Sequence, residues 1–178
     1  MSGAPSATIA PPPARQPAAV PSGAFLACMR MLASGCAVIA ARHEGQRAGL
    51  TATAVCSVTA DPPRIIVCVN RKVRAHALIA NSAALSVNML TQSHETVARR
   101  FAGLIDGVVG EERFVGADWD EGVTGSPILK DALFSLDCRV IEAIPASTHS
   151  IFLCEVVEAR SAEAAPLLYF NGRFAAVS

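Results

Sequence analysis

The chain has 178 residues, of which 52% are apolar and only 17% charged, with 15 basic and 15 acidic side chains. This length favours one domain that buries about 70% of its unfolded surface, so no disulfide or metal staple is required. A formal charge of zero argues against nucleic acid or an acidic membrane as the main partner. So little charge on so apolar a chain also suits a subunit of an oligomer, where an interface hides apolar area.

Residues 1–21 hold six prolines and a single charged side chain, Arg15. Such a segment supports neither helix nor ladder and is expected to be a disordered tail, with the folded domain at 22–178. The apolar stretch 23–41 carries Arg30 at its middle and is divided by Ser34-Gly35, so it is no spanning helix. It lacks the charged start of a signal peptide. We expect a helix capped by Ser22, with Phe25, Met29 and Leu32 on one face, ended by Gly35.

A strand at 36–42 and a turn at 43–46 follow, then one long strand from about Ala48 to Thr59, stopped by Asp61-Pro62-Pro63. Residues 64–70 form a strand whose run Ile65-Ile66-Val67-Cys68-Val69 reads as buried on both faces. Helix is expected over 73–81 and 93–103, and strand over 84–90, 132–143, 150–159 and 167–170. The Gly-rich stretch 104–127 reads as irregular. Many strands with a few short flanking helices indicate a mostly-β barrel, because strands do not alternate strictly with helices as parallel crossovers require. No Gly-x-Gly-x-x-Gly follows a strand, which argues against a Rossmann site.

The six cysteines form no Cys-x-x-Cys pair and mostly lie in apolar runs, as expected of reduced structural thiols in a cytoplasmic protein. The four histidines are scattered, so no metal site is expected. Neither a nucleophile elbow nor a zinc-protease helix is present. The acid–base inventory is thin, and an enzyme of this composition would rely on a cofactor for its chemistry.

The unusual segment is Gly49-Leu50-Thr51-Ala52-Thr53-Ala54-Val55-Cys56-Ser57-Val58-Thr59. Read as one strand, it puts Thr51, Thr53, Ser57 and Thr59 on one face and Ala52, Ala54, Cys56 and Val58 on the other. Small side chains let a flat ring approach the backbone, while hydroxyls and N–H groups meet its polar atoms. The alternative is a half-exposed strand with threonines facing water. The cations Arg71, Lys72, Arg74, Arg99 and Arg100 could receive a phosphate or could be solvated helix ends. His149 stands before an apolar strand, either as a turn residue or as a hydrogen-bond donor to a second ligand.

At these residues the chain resembles the short-chain flavin reductase family, the reductase components of two-component flavin-dependent monooxygenases. The matching pieces are Arg47 to Thr59, Asp61-Pro62-Pro63 with Val67 to Arg71, Ser86 to Leu90, Arg100-Phe101, Gly125-Ser126-Pro127, Thr148-His149 and Leu167 to Phe174. The likeness is greatest to the branch that serves the pyrimidine-degrading oxygenase. The resemblance implies an FMN-binding split β-barrel, a cytoplasmic homodimer, and an NAD(P)H:flavin oxidoreductase. Such an enzyme reduces FMN (or FAD) with NADH (or NADPH) and supplies reduced flavin to a partner monooxygenase. A flavin- or haem-binding split-barrel module without reductase turnover is the alternative.

Carried over by position, Ala48, Gly49, Leu50, Thr51, Thr53 and Ala54 would line the flavin ring and ribityl chain, and Ser57 would reach towards the phosphate. Cys68, Val69 and Asn70 would continue the wall, Arg74 and Ala75 would hold the phosphate, and Arg100 and Phe101 would close the site. His149 would contact the nicotinamide nucleotide as the catalytic-site histidine, with Tyr169, Asn171 and Arg173 near the same cleft. The family's Gly-Asp-His stands here as Ser147-Thr148-His149, without the glycine and the carboxylate.

Overall fold

The computed structural model describes residues 17–177. In chain order it has α1 (Ser22–Arg30), β1 (Ser34–Gly35), β2 (Ala37–His43), β3 (Gln46–Ala52), β4 (Val55–Ala60) and β5 (Pro63–Asn70). There follow α2 (Arg74–Ser82), β6 (Ala84–Met89), α3 (Glu95–Phe101), β7 (Trp119–Glu121), β8 (Pro127–Leu129), β9 (Phe134–Ala146), β10 (His149–Ser161), β11 (Leu167–Phe170) and β12 (Arg173–Ala176). The fold is mostly β, as the strand pattern predicts. Most of the tail expected at 1–21 lies outside the described residues. Among those residues no helix is long and apolar enough to cross a membrane.

One antiparallel sheet runs β3-β2-β6-β9-β10-β5-β4. Its edge strands, β3 and β4, are consecutive in the chain and joined only by Thr53-Ala54. Laid flat, seven strands span about 29 Å, whereas that link reaches only about 10 Å. The sheet therefore rolls until its edges approach one another at Thr53-Ala54, which makes a split barrel. The single strand expected over 48–59 is thus two. Its supposed common face is further broken by a register shift between Ser57 and Thr59.

β2 is the strand buried on both faces. Ala37, Ile39 and Ala41 join a core inside the roll with Ile65, Val67, Val69, Leu85, Val87 and Phe152. Val38 and Ala40 face a second core with Leu90, Val97, Ala98, Phe101, Phe114 and Leu129. β5, expected to be buried on both sides, is not. Ile65, Val67 and Val69 point inward, while Ile66 and Cys68 are half-buried on the outer face.

Two helix expectations also change. Pro21 occupies the N-cap of α1 and Ser22 is its first helical residue; the helix ends at Arg30, not Gly35. Gly35 instead pairs with Leu168 in the small sheet β1-β11-β12. α1 buries no residue of its own, and Phe25, Leu26, Met29 and Leu32 are exposed. The stretch expected to be irregular contains a 3-10 turn at Gly110–Phe114 and the hairpin β7-β8. All six cysteines are free thiols, three of them buried.

Candidate active site

A cavity of about 410 Å³ opens where the barrel is split. Its wall is the end of β3 with the following link: Leu50, Thr51, Ala52, Thr53 and Ala54. Cys68 and Asn70 of β5 and His149 of β10 form a second side. The rest comes from Cys36, Ala102, Leu104, Tyr169 and Phe174. A second groove of about 390 Å³ between α1 and β11 shares Thr53, Ala54 and Tyr169 with it.

The register explains this convergence. His149 is the partner of Asn70 where β10 meets β5, and Cys68 lies opposite Ile151. The Cys68 N–H donates to the Ala54 carbonyl at 3.1 Å, which ties the link to β5. Thr51 donates its hydroxyl to the Ala98 carbonyl of α3 at 2.7 Å, so it fixes the wall to the helix and is no free donor. Tyr169 stacks edge-on against Phe174 at 5.5 Å.

Among the residues that line the cavity, His149 is the only histidine, and no lysine, arginine or carboxylate joins it. Burial pushes the Cys36 thiol up to about 11, so it serves as an uncharged floor. A neutral wall of small and hydroxyl side chains, open on the side of the exposed Leu104 and Tyr169, suits a flat aromatic ring with polar edges. The volume and the donor set fit a flavin ring.

Of the residues expected at the site, Leu50, Thr51, Thr53, Ala54, Cys68, Asn70, His149 and Tyr169 come together in the lining. Others lie elsewhere. Ala48, Val69 and Ala75 are buried in the inner core, Val69 because it alternates with Cys68 and Asn70. Gly49 faces Phe101, which is buried in an aromatic cluster with Phe114 and Trp119. Ser57 is exposed farther along β4.

Arg74 donates to Gln46 Oε1 at 2.6 Å. Arg100 is bound to the carbonyls of Glu112 and Arg113 and borders a different cavity. Asn171 forms the β11–β12 turn at φ 48°, with its N–H on the Arg30 carbonyl, and Arg173 is exposed.

Ala52, inside the segment singled out above, was not assigned to the site, and neither were Cys36, Ala102, Leu104 and Phe174 from other parts of the chain. These last four are brought in by contacts between distant elements, for which the sequence offers no local signal. Nearby, Arg47 holds Glu111 through its N–H at 2.8 Å and its guanidinium at 2.8–2.9 Å, anchoring the 3-10 turn on β3. Burial raises the Glu111 carboxyl, but these bonds and the charges of Arg47 and Arg74 outweigh it and hold it below its ordinary 4.5.

Comparison with known proteins agrees with this geometry. The family model for the flavin reductase like domain matches residues 29–178. A relative from Pseudomonas syringae named FMN reductase (NADH) RutF is 40% identical over 156 residues, covering 88% of this chain and 86% of its own. The solved structure of the NADH:FAD oxidoreductase SgcE6 of Streptomyces globisporus superimposes with a TM-score of 0.81 at 26% identity, covering 94% of this chain and 99% of that one. BorF, the flavin reductase component of a bacterial two-component tryptophan halogenase, gives 0.79 at 26% identity, covering 88% and 98%. A chain whose family match spans nearly all of its folded part belongs to the flavin reductase like family.

Proposed function

We propose that this chain is an NADH:flavin oxidoreductase that reduces FMN and passes the reduced flavin to a partner monooxygenase. The observation that carries the reading is the neutral, small-residue cavity at the split of the barrel, with His149 at its rim. FMN is the favoured flavin because the relative named above as an FMN reductase matches at 40% identity. FAD and NADPH are the alternatives to test beside FMN and NADH.

A bound flavin would supply the redox chemistry as acceptor of a hydride from the reduced nicotinamide, held against the wall of Leu50 to Ala54. The chain's own residues bind and orient. Ala52 and Ala54 leave room for a ring against the backbone, while the Thr53 hydroxyl offers a hydrogen bond to its polar edge. His149 at the rim is placed to meet the second substrate. Holding two rings face to face is the main contribution such a site makes to rate, since it converts a bimolecular encounter into an oriented one. The exposed Leu104 and Tyr169 leave the cavity open, which suits a flavin that must leave after reduction.

The functional unit in this reading is a homodimer of a single domain starting at residue 22. The exposed apolar side chains of α1 and the turn after it, namely Phe25, Leu26, Met29 and Leu32, support this, because an isolated chain gains nothing by forming such a face. Six free thiols support a reducing, cytoplasmic setting.

The test is to mix the protein with NADH and free FMN and to follow the nicotinamide absorbance. FMN-dependent oxidation is expected. Its absence with either nicotinamide and with FAD as well refutes the reading.

A further inference from the structure

The turn that carries His149 is tied down more tightly than a hairpin requires. Ser147 and Thr148 join the paired residues Ala146 and His149, with Ser147 held at φ 54°. The Thr148 carbonyl accepts the Arg71 N–H at 3.0 Å, which fastens the turn to the residue after Asn70. The Thr148 hydroxyl lies 2.9 Å from His149 Nδ1.

Asn70 is fixed in a matching way. Its Oδ1 accepts the Lys72 N–H at 2.9 Å. A backbone N–H can only donate, so the amide oxygen is the atom engaged and the NH2 group is the one left over. Asn70 and His149 are direct register partners, and both line the cavity. The free nitrogen of a histidine takes its role from the bond made by the other. A hydroxyl can donate to Nδ1, whereas a carboxylate in the same place can only accept.

From this geometry we propose that Thr148 is a positioning residue. Its hydroxyl donates to His149 Nδ1 and selects the Nε2–H tautomer. His149 Nε2–H and Asn70 Nδ2–H then stand side by side as two donors for acceptor oxygens of the nicotinamide nucleotide. The inference rests on the reductase reading for the identity of the ligand, and on the hydrogen bonds alone for the tautomer.

The experiment uses the full chain labelled with 15N-histidine, as wild type and as Thr148→Val, Thr148→Ser and Asn70→Asp. The tautomer of His149 is read by two-bond 15N–1H correlation. The KM for NADH is measured beside the Kd for FMN. Wild type and Thr148→Ser should hold the Nε2–H tautomer. Thr148→Val should show a mixture and a KM for NADH raised about 2- to 12-fold, the worth of one hydrogen bond. Its Kd for FMN should stay within about twofold of wild type, since no flavin contact is assigned to Thr148. Asn70→Asp should raise the same KM without altering the tautomer.

An Nδ1–H tautomer in the wild type overturns the proposal. So does an unchanged KM in Thr148→Val, or a Thr148→Ser variant that fails to rescue both readouts. A protein that never oxidises NADH loses the reductase reading, while the tautomer in the free protein still decides the role of Thr148.

Discussion

Gly49 precedes Leu50 of the cavity wall and packs against Phe101, so Gly49→Ala tests the packing argument directly. A Cβ there would stand 2.8 Å from Phe101 Cε1 and 3.0 Å from the Ile39 carbonyl oxygen. The carbonyl belongs to β2, which is paired on both sides by β3 and β6, and has no freedom to retreat. The Phe101 ring is held edge-on to Phe114 at 4.9 Å and tilted against Trp119 at 5.6 Å, with Arg47 lying 4.3 Å over Phe114. The ring can move only if the whole cluster moves. Overpacking of this kind costs about 1–3 kcal/mol. For a domain of this size that lowers Tm by about 2–12 °C. Phe101 ends α3 and leads into Ala102 and Leu104 of the cavity wall, so flavin affinity should fall with it. The assay is thermal unfolding with fluorescence titration of FMN, using Gly23→Ala as control, because a Cβ at Gly23 meets nothing within 4 Å. The double variant Gly49→Ala/Phe101→Leu should recover part of the loss, with a coupling of at least about 0.5 kcal/mol. A Gly49→Ala protein that melts with the Gly23→Ala control would refute the close approach of Phe101 to β3.

Gly122→Ala should be more damaging than its place in a surface hairpin suggests. Its Cβ would lie 2.5 Å from Oδ2 of the buried Asp137, which already accepts the Thr124 N–H at 2.7 Å; soluble expression at wild-type Tm would contradict this. Ala54→Leu adds bulk to an exposed stretch of the cavity wall. It should weaken FMN at least about tenfold while leaving Tm nearly unchanged, since surface substitutions away from the core cost within about 0.5 kcal/mol; equal FMN affinity would move the ring elsewhere. Burial, and after it the positive charge of Arg71, lowers the ionisation of His76 from its ordinary 6.5. As pH falls the unfolded chain therefore takes up this proton first. The stabilisation is complete above pH 6.5 and is lost as pH drops below it. Urea midpoints at about pH 8 and about pH 5.5 should fall more for wild type than for His76→Gln, and parallel pH dependences would exclude the effect.

The elements with a strong local signal were legible in the sequence. Leu167–Phe170 appears at its predicted bounds, α2 lies within a residue of them, and the β9–β10 pair stands where two long apolar runs foretell it. The break between β3 and β4 was not legible. Thr53-Ala54 contains neither glycine nor proline, and both residues suit a strand. Only the rolling of the sheet, a property of all seven strands, forces the chain to leave one edge and enter the other there. β12 did have a signal, Asn171-Gly172, which favours the positive φ values of 48° and 78° that a tight hairpin turn needs. The strand itself, Arg173–Ala176, has two alanines and no β-branched residue, so it carries little strand signal of its own. At the site, carry-over by position from the family resemblance named Leu50, Cys68 and Asn70, which line the cavity. Such carry-over cannot tell that Val69 between them belongs to the core, because a list of neighbours along a chain is not a list of side chains on one face.

The position of the cavity follows from how the two cores share β2. One core fills the roll and the other fills the space under α3, and each is closed by its own large side chains, Phe152 in the first and Phe101 in the second. The link Thr53-Ala54 belongs to neither. Side chains there need not fill a core, so they can be small without leaving a void that would destabilise the fold. Small residues at the link are therefore cheap for stability and useful for binding, and the same residues in β2 would be neither. A site built this way separates affinity from folding. Changes along the link should move flavin binding with little effect on Tm, and changes at Gly49 or Phe101 should move both together.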